Sequence, residues 1–219
     1  MINSPAYRNI LTKAQEYNVL LIVVSKNQSI EDIQILYNLG QRDFGENRAT
    51  ELLTKYEALP KDIRWHMIGH LQSNKAKYIA PFIHLVHSVD SVGLASEIDK
   101  QAKKNSRIIP CLLQVRIAQE ENKYGISQDK VIETLSVVKN LKNISIRGLM
   151  GIATNTKEAG QITSEFHNLK ILKDQLIEIK MLHADSQLSI GMSSDWQIAL
   201  IEGATILRIG SLLFNSVEK

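Results

Sequence analysis

The chain has 219 residues, 44% hydrophobic and 22% charged, enough to bury one sizeable core, and one domain over residues 1–219 is the default at this length. Its 26 Lys and Arg are interspersed with 23 Asp and Glu for a net charge of +3, so neither a nucleic-acid patch nor a polybasic membrane anchor is expected. The longest apolar run, Val19 to Val24, is too short to span a bilayer, no signal-peptide stretch opens the sequence, and a lone Cys111 excludes a disulfide framework, so a soluble protein of the reducing cytoplasm is expected.

In chain order, a short apolar run, a polar turn and an amphipathic stretch recur. An opening helix is expected around Pro5 to Tyr17, followed by a strand over Val19 to Ser25. A brief strand at Arg42 to Phe44 precedes Arg64 to Ile68, His84 to His87 and Ile108 to Ile117. The last three strands are Ile144 to Leu149, Gln187 to Ile190 and Thr205 to Ile209. The longest helical stretch carries Ile162, Phe166, Leu169, Lys173, Leu176 and Ile179 at three- and four-residue steps, with Lys173 its one polar interruption. Eight strands alternating with helices predict a single parallel (β/α)8 barrel of the TIM type. An open doubly wound sheet needs fewer strands and is the alternative, because the strands at 42–44 and 84–87 are weak. Against it, no strand runs into the Gly-x-Gly-x-x-Gly turn of a dinucleotide site.

In such a barrel the chemistry sits where the strands end. Ile22, Val24 and Lys26 share one strand face by the period of two. If that face is the barrel interior, the Lys26 amine sits at the mouth, partly desolvated and able to attack a carbonyl; a solvated strand-end lysine fits the same position. Ser193 and Ser194 precede a helix expected over Asp195 to Ile201, and Gly210 and Ser211 follow the last strand. Backbone N–H groups and hydroxyls there suit a phosphate, as loops seven and eight of this fold often do. A plain helix cap and a plain turn are the other reading. Arg208 lies on the strand face opposite Leu207 and Ile209, either completing that site or paired with a carboxylate at the barrel bottom. His66 and His70 stand four apart on a strand exit with no carboxylate between them, so no metal site is expected. Glu46 reads as a helix N-terminal residue rather than a general base, and Cys111 as an inert core thiol.

The segment Trp65-His66-Met67-Ile68-Gly69-His70-Leu71-Gln72-Ser73-Asn74-Lys75 closely resembles the signature of the pyridoxal phosphate homeostasis proteins of the YggS/PROSC type. The same family pattern continues in Val24-Ser25-Lys26, Phe44-Gly45-Glu46-Asn47, Asn122-Lys123-Tyr124-Gly125 and Arg147-Gly148-Leu149-Met150. It ends in Gly191-Met192-Ser193-Ser194-Asp195 and Arg208-Ile209-Gly210-Ser211, so the resemblance covers nearly the whole chain. It implies a fold-type III barrel like the N-terminal domain of alanine racemase, without the second, all-β domain of the racemases. It also implies pyridoxal 5′-phosphate (PLP) held as an internal aldimine on Lys26. Carried over, Asn47 approaches the ring hydroxyl and Arg208 the pyridine nitrogen, while Ser193, Ser194, Gly210 and Ser211 hold the phosphate.

The implied role is intracellular PLP homeostasis: a monomer that buffers the cofactor or delivers it to apo-enzymes, with little or no catalysis. Lys123 reads either as a second amine that exchanges or offloads the cofactor or as a solvated loop lysine. The runner-up is a racemase-like PLP enzyme, for which Tyr124 is the one aromatic candidate for a second base. A cofactor-free Schiff-base aldolase is a third reading of the lysine and phosphate site. Three departures from the family pattern stand out: Asn27-Gln28-Ser29 replaces the frequent Thr-Lys-Pro, Ser211 replaces Thr, and Asn215 replaces a common Gly.

Overall fold

Alternation along the strands decides the architecture. In Leu20–Val24 (β1), Leu21 and Val23 point one way and Ile22 the other, and all three are buried. A strand buried on both faces needs a layer on each side, which a barrel wrapped in helices supplies. In the computed structural model, which describes residues 2–120 and 123–214, eight parallel strands close in sequence order, with β1 paired to both its neighbour and the last strand. The others are Asp43–Glu46 (β2), Arg64–Met67 (β3), Leu85–Val89 (β4), Ile109–Gln114 (β5), Ile144–Met150 (β6), Gln187–Ser189 (β7) and Ile206–Ile209 (β8). The wrapping helices are Ser4–Glu16 (α1), Ile30–Asn38 (α2), Ala49–Ala58 (α3), Ala76–Ile79 (α4), Val92–Lys104 (α5), Val131–Val138 (α6), Ala159–Glu178 (α7) and Trp196–Ile201 (α8).

Two cores result. The larger lies between strands and helices and takes Val23, Phe44, Trp65, Val86, Cys111, Leu149, Leu188 and Leu207 with the apolar faces of the helices. The smaller fills the barrel: Ile22, Leu85, Leu112, Met150 and Ile206. Local signals start several helices as capping rules require: Asn3, Ser29 and Ser91 accept the N–H of Ala6, Asp32 and Leu94 at the heads of α1, α2 and α5.

The two weak strands belong to the barrel but lie further along the chain than their apolar runs. β2 recruits Gly45 and Glu46, poor strand formers, because flanking strands supply the ladder, and Gly45 faces a wall with no room: a Cβ there would sit 2.9 Å from Ile22 Cγ2. β6 carries an irregularity that the sequence hides. Cys111 pairs Ile146 and Leu113 pairs Leu149, so one residue is extra on β6. Gly148 sits there at φ +143°, where a Cβ would lie 2.0 Å from the Gln187 carbonyl oxygen. The extra residue turns Met150 into the barrel and brings the Gly151 carbonyl within reach of Arg208.

Candidate functional site

A cavity of about 390 Å³ opens at the C-terminal ends of the strands, and Lys26, Asn47, Ser193, Ser194, Arg208, Gly210 and Ser211 all line it. Lys26 follows β1 on the inward face predicted from Ile22 and Val24. Its side chain is exposed rather than partly desolvated, because the cavity opens to solvent at that point. Asn47 follows β2. The close packing of the β3 exit holds it there: a Cβ on Gly69 would lie 2.4 Å from the Asn47 carbonyl oxygen.

Lys26 is positioned from behind the wall by a cluster that sequence reading missed. Glu46 is not at a helix start; it ends β2, fully buried, and faces α3. It accepts from the Ser25 hydroxyl at 2.6 Å and pairs with Lys55 at 2.8 Å. Lys55 also donates to the Ser25 carbonyl at 2.7 Å and to Glu51 at 2.6 Å. Glu51 in turn takes the Asn27 N–H at 2.7 Å, so both chain neighbours of Lys26 are tied to one ionic cluster. Burial pushes the Glu46 carboxyl up, and the Lys55 and Ser25 hydrogen bonds offset part of that. Asn27 stands at φ +60°, a conformation asparagine tolerates better than most residues.

The adjoining rim, at the β7 and β8 exits, is built largely from backbone. Ser193 Oγ accepts the Gly210 N–H at 3.2 Å, which joins the β7 and β8 exits and leaves the hydroxyl proton to turn into the cavity. Gly210 packs against β1 so closely that a Cβ would lie 3.1 Å from the Val24 carbonyl oxygen. Neither serine caps α8. Asp195 holds that turn instead, accepting the Met192 N–H at 2.5 Å and the Ser194 hydroxyl at 3.3 Å. The helix is shorter by one residue than expected, with Asp195 at its cap position.

Arg208 is buried under the cavity floor and, among the described residues, is not in a barrel-bottom ion pair. Its guanidinium donates to Ser189 Oγ at 2.6 Å and to the Gly151 carbonyl at 2.9 Å. Burial lowers it to about 10, partly opposed by Asp195, so it stays cationic at neutral pH. The site therefore offers an amine, a fixed cation and an anion cradle around one cavity, the set needed to hold an aldehyde-bearing phosphate ester.

The two histidines of the sequence motif part company. His66 is fully buried in the barrel, whereas His70 sits on the rim, bonded to Asp90 at 3.0 Å and stacked on Tyr124 with ring centroids 3.9 Å apart. Tyr124 lines the cavity, and Lys123 beside it lines a smaller neighbouring one of about 200 Å³. The Lys123 amine is engaged with Glu120 and the Ala153 carbonyl, each at 3.0 Å, and a role in offloading a ligand requires it to leave both. Cys111 is fully buried and burial pushes its thiol up, as an inert core residue requires. Asn122 and Asn215 lie outside the described residues.

The family model described as the N-terminal domain of alanine racemase matches residues 6–216. The chain is 40% identical over 196 residues to the pyridoxal phosphate homeostasis protein of Aquifex aeolicus (strain VF5), covering 89% of this chain and 86% of that protein. PipY of Synechococcus elongatus PCC7942, solved with PLP bound, superposes with a TM-score of 0.85 at 36% identity, covering 96% of this chain and 99% of PipY. Alanine racemase of Clostridium difficile 630 shares the fold alone, at a TM-score of 0.78 and 14% identity, with all of this chain covering 58% of that one.

Proposed function

The chain belongs to the pyridoxal phosphate homeostasis protein family, and from that membership and the cavity we infer that it binds PLP and works in PLP homeostasis, with Lys26 as the attachment point. The observation that carries the reading is the gathering of amine, guanidinium and anion cradle around one cavity at the ends of β1, β7 and β8. When bound, PLP supplies an aldehyde that condenses with an amine and a phosphate ester that needs an anion site. The residues fit those two demands. Lys26 presents its amine at the open rim, and Ser193 and the Gly210–Ser211 turn line the same cavity at the β7 and β8 exits, where they would hold the phosphate. Asn47 on the β2 side and Arg208 on the floor line the same cavity and would meet the ring. The test is borohydride reduction of the PLP-loaded protein followed by peptide mapping. The fixed adduct is expected on Lys26, and an adduct confined to other lysines would overturn the assignment.

The same geometry favours storage or delivery over catalysis. Arg208 stays protonated, so toward a ring nitrogen it would donate a hydrogen bond without giving up its proton, and the ring would be a weak electron sink. Deuterium exchange at Cα of alanine and serine by the loaded protein should be absent or very slow. Exchange at about 1 per second or faster, an ordinary enzyme rate, would restore the racemase-like reading. The 219-residue chain acts in this proposal as one monomeric domain of the reducing cytoplasm, supplying PLP to apo-enzymes. Sedimentation of the loaded protein tests the monomer, and activation of an apo-enzyme tests delivery.

A further inference from the structure

A continuous polar chain crosses the inside of the barrel beneath the cavity. Arg208 Nη1 lies 2.6 Å from Ser189 Oγ, and Ser189 Oγ lies 2.9 Å from His87 Nδ1. His87 Nε2 is 3.0 Å from His66 Nδ1, and His66 Nε2 is 3.1 Å from Asp43 Oδ1. All five residues are buried, the two histidines and Ser189 completely. The chain starts on β8 and crosses β7, β4 and β3 to end on β2, where Arg64 caps the carboxylate from outside, its Nε 2.8 Å from Asp43 Oδ1.

Both ends of this chain have a fixed sense. A guanidinium only donates and a carboxylate only accepts. His66 must therefore carry its proton on Nε2, toward Asp43, and as a neutral ring it accepts at Nδ1. His87 then donates from Nε2 and accepts at Nδ1, and the proton it accepts is that of the Ser189 hydroxyl. The Ser189 oxygen is left to accept from Arg208. The opposite order would put a second proton on His66 and strand the buried Ser189 hydroxyl proton without an acceptor among its contacts. Burial lowers both histidines, His87 well below its ordinary value, in keeping with two neutral rings.

We propose that Asp43 is a second, remote counter-charge of Arg208 besides the nearer Asp195, connected through the proton-ordered chain His66–His87–Ser189, and that these four residues position the guanidinium and set how strongly it donates into the cavity. The proposal rests on the reading that Arg208 meets the PLP ring nitrogen. In a buried chain each hydrogen bond polarises the next, so the carboxylate makes the Ser189 oxygen a stronger acceptor and holds Arg208 to one orientation. A cation at the Asp43 end is a poorer account. Asp43, His66 and His84 do bring ligand atoms within 4.8 Å of one another, but Arg64 donates to both Asp43 oxygens and would repel a metal.

Nitrogen-15 NMR of the histidine side chains in the wild-type protein tests the order directly: His66 and His87 should both be neutral Nε2–H tautomers at pH 7. In the PLP-loaded protein, Asp43→Asn and Ser189→Ala should each shift the long-wavelength absorbance band and weaken PLP binding about tenfold. Arg64→Met removes the ion pair on the same carboxylate but keeps its charge, and the band should stay in place. A charged or Nδ1–H ring at either histidine overturns the proposal, as does a folded Asp43→Asn protein with unchanged band and affinity. Should Asp43→Asn not fold, the wild-type tautomers decide. A wild type that takes no borohydride-fixed adduct on Lys26 would overturn the PLP reading instead, and the tautomers would then judge the chain alone.

Discussion

The two rims of the cavity are held in different ways. On the β1–β2 side, Lys26 stands between Ser25 and Asn27, both fastened by side chains behind the wall: Glu46, Lys55 and Glu51. On the β7–β8 side, the Gly210 N–H meets Ser193 Oγ and the glycine backbone lies against Val24, with main-chain groups doing most of the holding. An amine must be aimed, and a flexible four-carbon stem is aimed by fixing the backbone at its root. An anion needs donors, and the β7–β8 rim sets Ser193, Ser194 and Ser211 around the cavity on a backbone that the Gly210–Ser193 hydrogen bond holds in place. The first rim therefore depends on buried charges that one substitution can unpair, and the second depends on backbone that few side-chain changes reach.

The contrast breaks hardest at Lys26 itself. Lys26→Ala should abolish the borohydride-fixed adduct while leaving unfolding by urea within about 0.5 kcal/mol of wild type, because an exposed side chain contributes little to the core. Mass mapping and an unfolding curve read the two halves of that outcome. A wild-type level of adduct elsewhere in the mutant would sink the assignment.

Behind the wall, Lys55→Met leaves Glu46 buried without its cation. Loss of one partner of a buried pair costs about 3–5 kcal/mol, so this variant should unfold at much lower urea concentration. An unfolding midpoint equal to that of wild type would mean that the cluster does not hold the β1–β2 rim.

The backbone rim is sharpened by changing the ligand instead of the protein. Charge-assisted hydrogen bonds contribute roughly 1.5–3 kcal/mol each, so pyridoxal lacking the phosphate should bind at least about a hundredfold more weakly than PLP. Equal affinities in a titration would remove the anion cradle from the β7–β8 exits.

Acid has the smallest effect, and it contrasts the two ends of β2, Asp43 at its start and Glu46 at the rim. Burial alone would raise Asp43, but hydrogen bonds from Arg64 and His66 outweigh it and bring the carboxyl down to about 2. Its folded value lies below the unfolded value of about 3.9, so its contribution is present above that pH and is lost as pH falls toward 2, roughly 2 kcal/mol in all. Glu46, raised by burial, acts with the opposite sign, and its folded form gains as pH falls. Urea curves between about pH 5 and 2 should show wild type losing more stability than Asp43→Asn. Parallel losses would show that β2 carries no acid-labile charge of this kind.

Much of this molecule was legible in one dimension. The period-two face of Ile22 and Val24 already aimed Lys26 inward, and the Gly and Ser residues after β7 and β8 already marked the lining of the same cavity, proposed here to take an anion, because strand alternation and turn chemistry act over a few residues. The family motifs named a cofactor for that site. What local pattern misassigned was Glu46, whose neighbours in sequence suggest a helix start and whose neighbours in space, Ser25 and Lys55, make it the centre of a buried cluster. The bulge at Gly148 was equally hidden, since its demand for glycine comes from Gln187 on the next strand.

The sequence by itself determined the count and order of the strands, the side of β1 that carries the amine, and the residues free to form the cradle. The tertiary structure alone decided which buried polar groups meet. His87 and Ser189 are 102 residues apart, and no periodicity links them; closure of the barrel turns β4 and β7 toward one interior and leaves the two side chains 2.9 Å from each other. Local patterns record whether a side chain faces the interior. Its partners there depend on strand register and barrel closure, which are properties of all eight strands together.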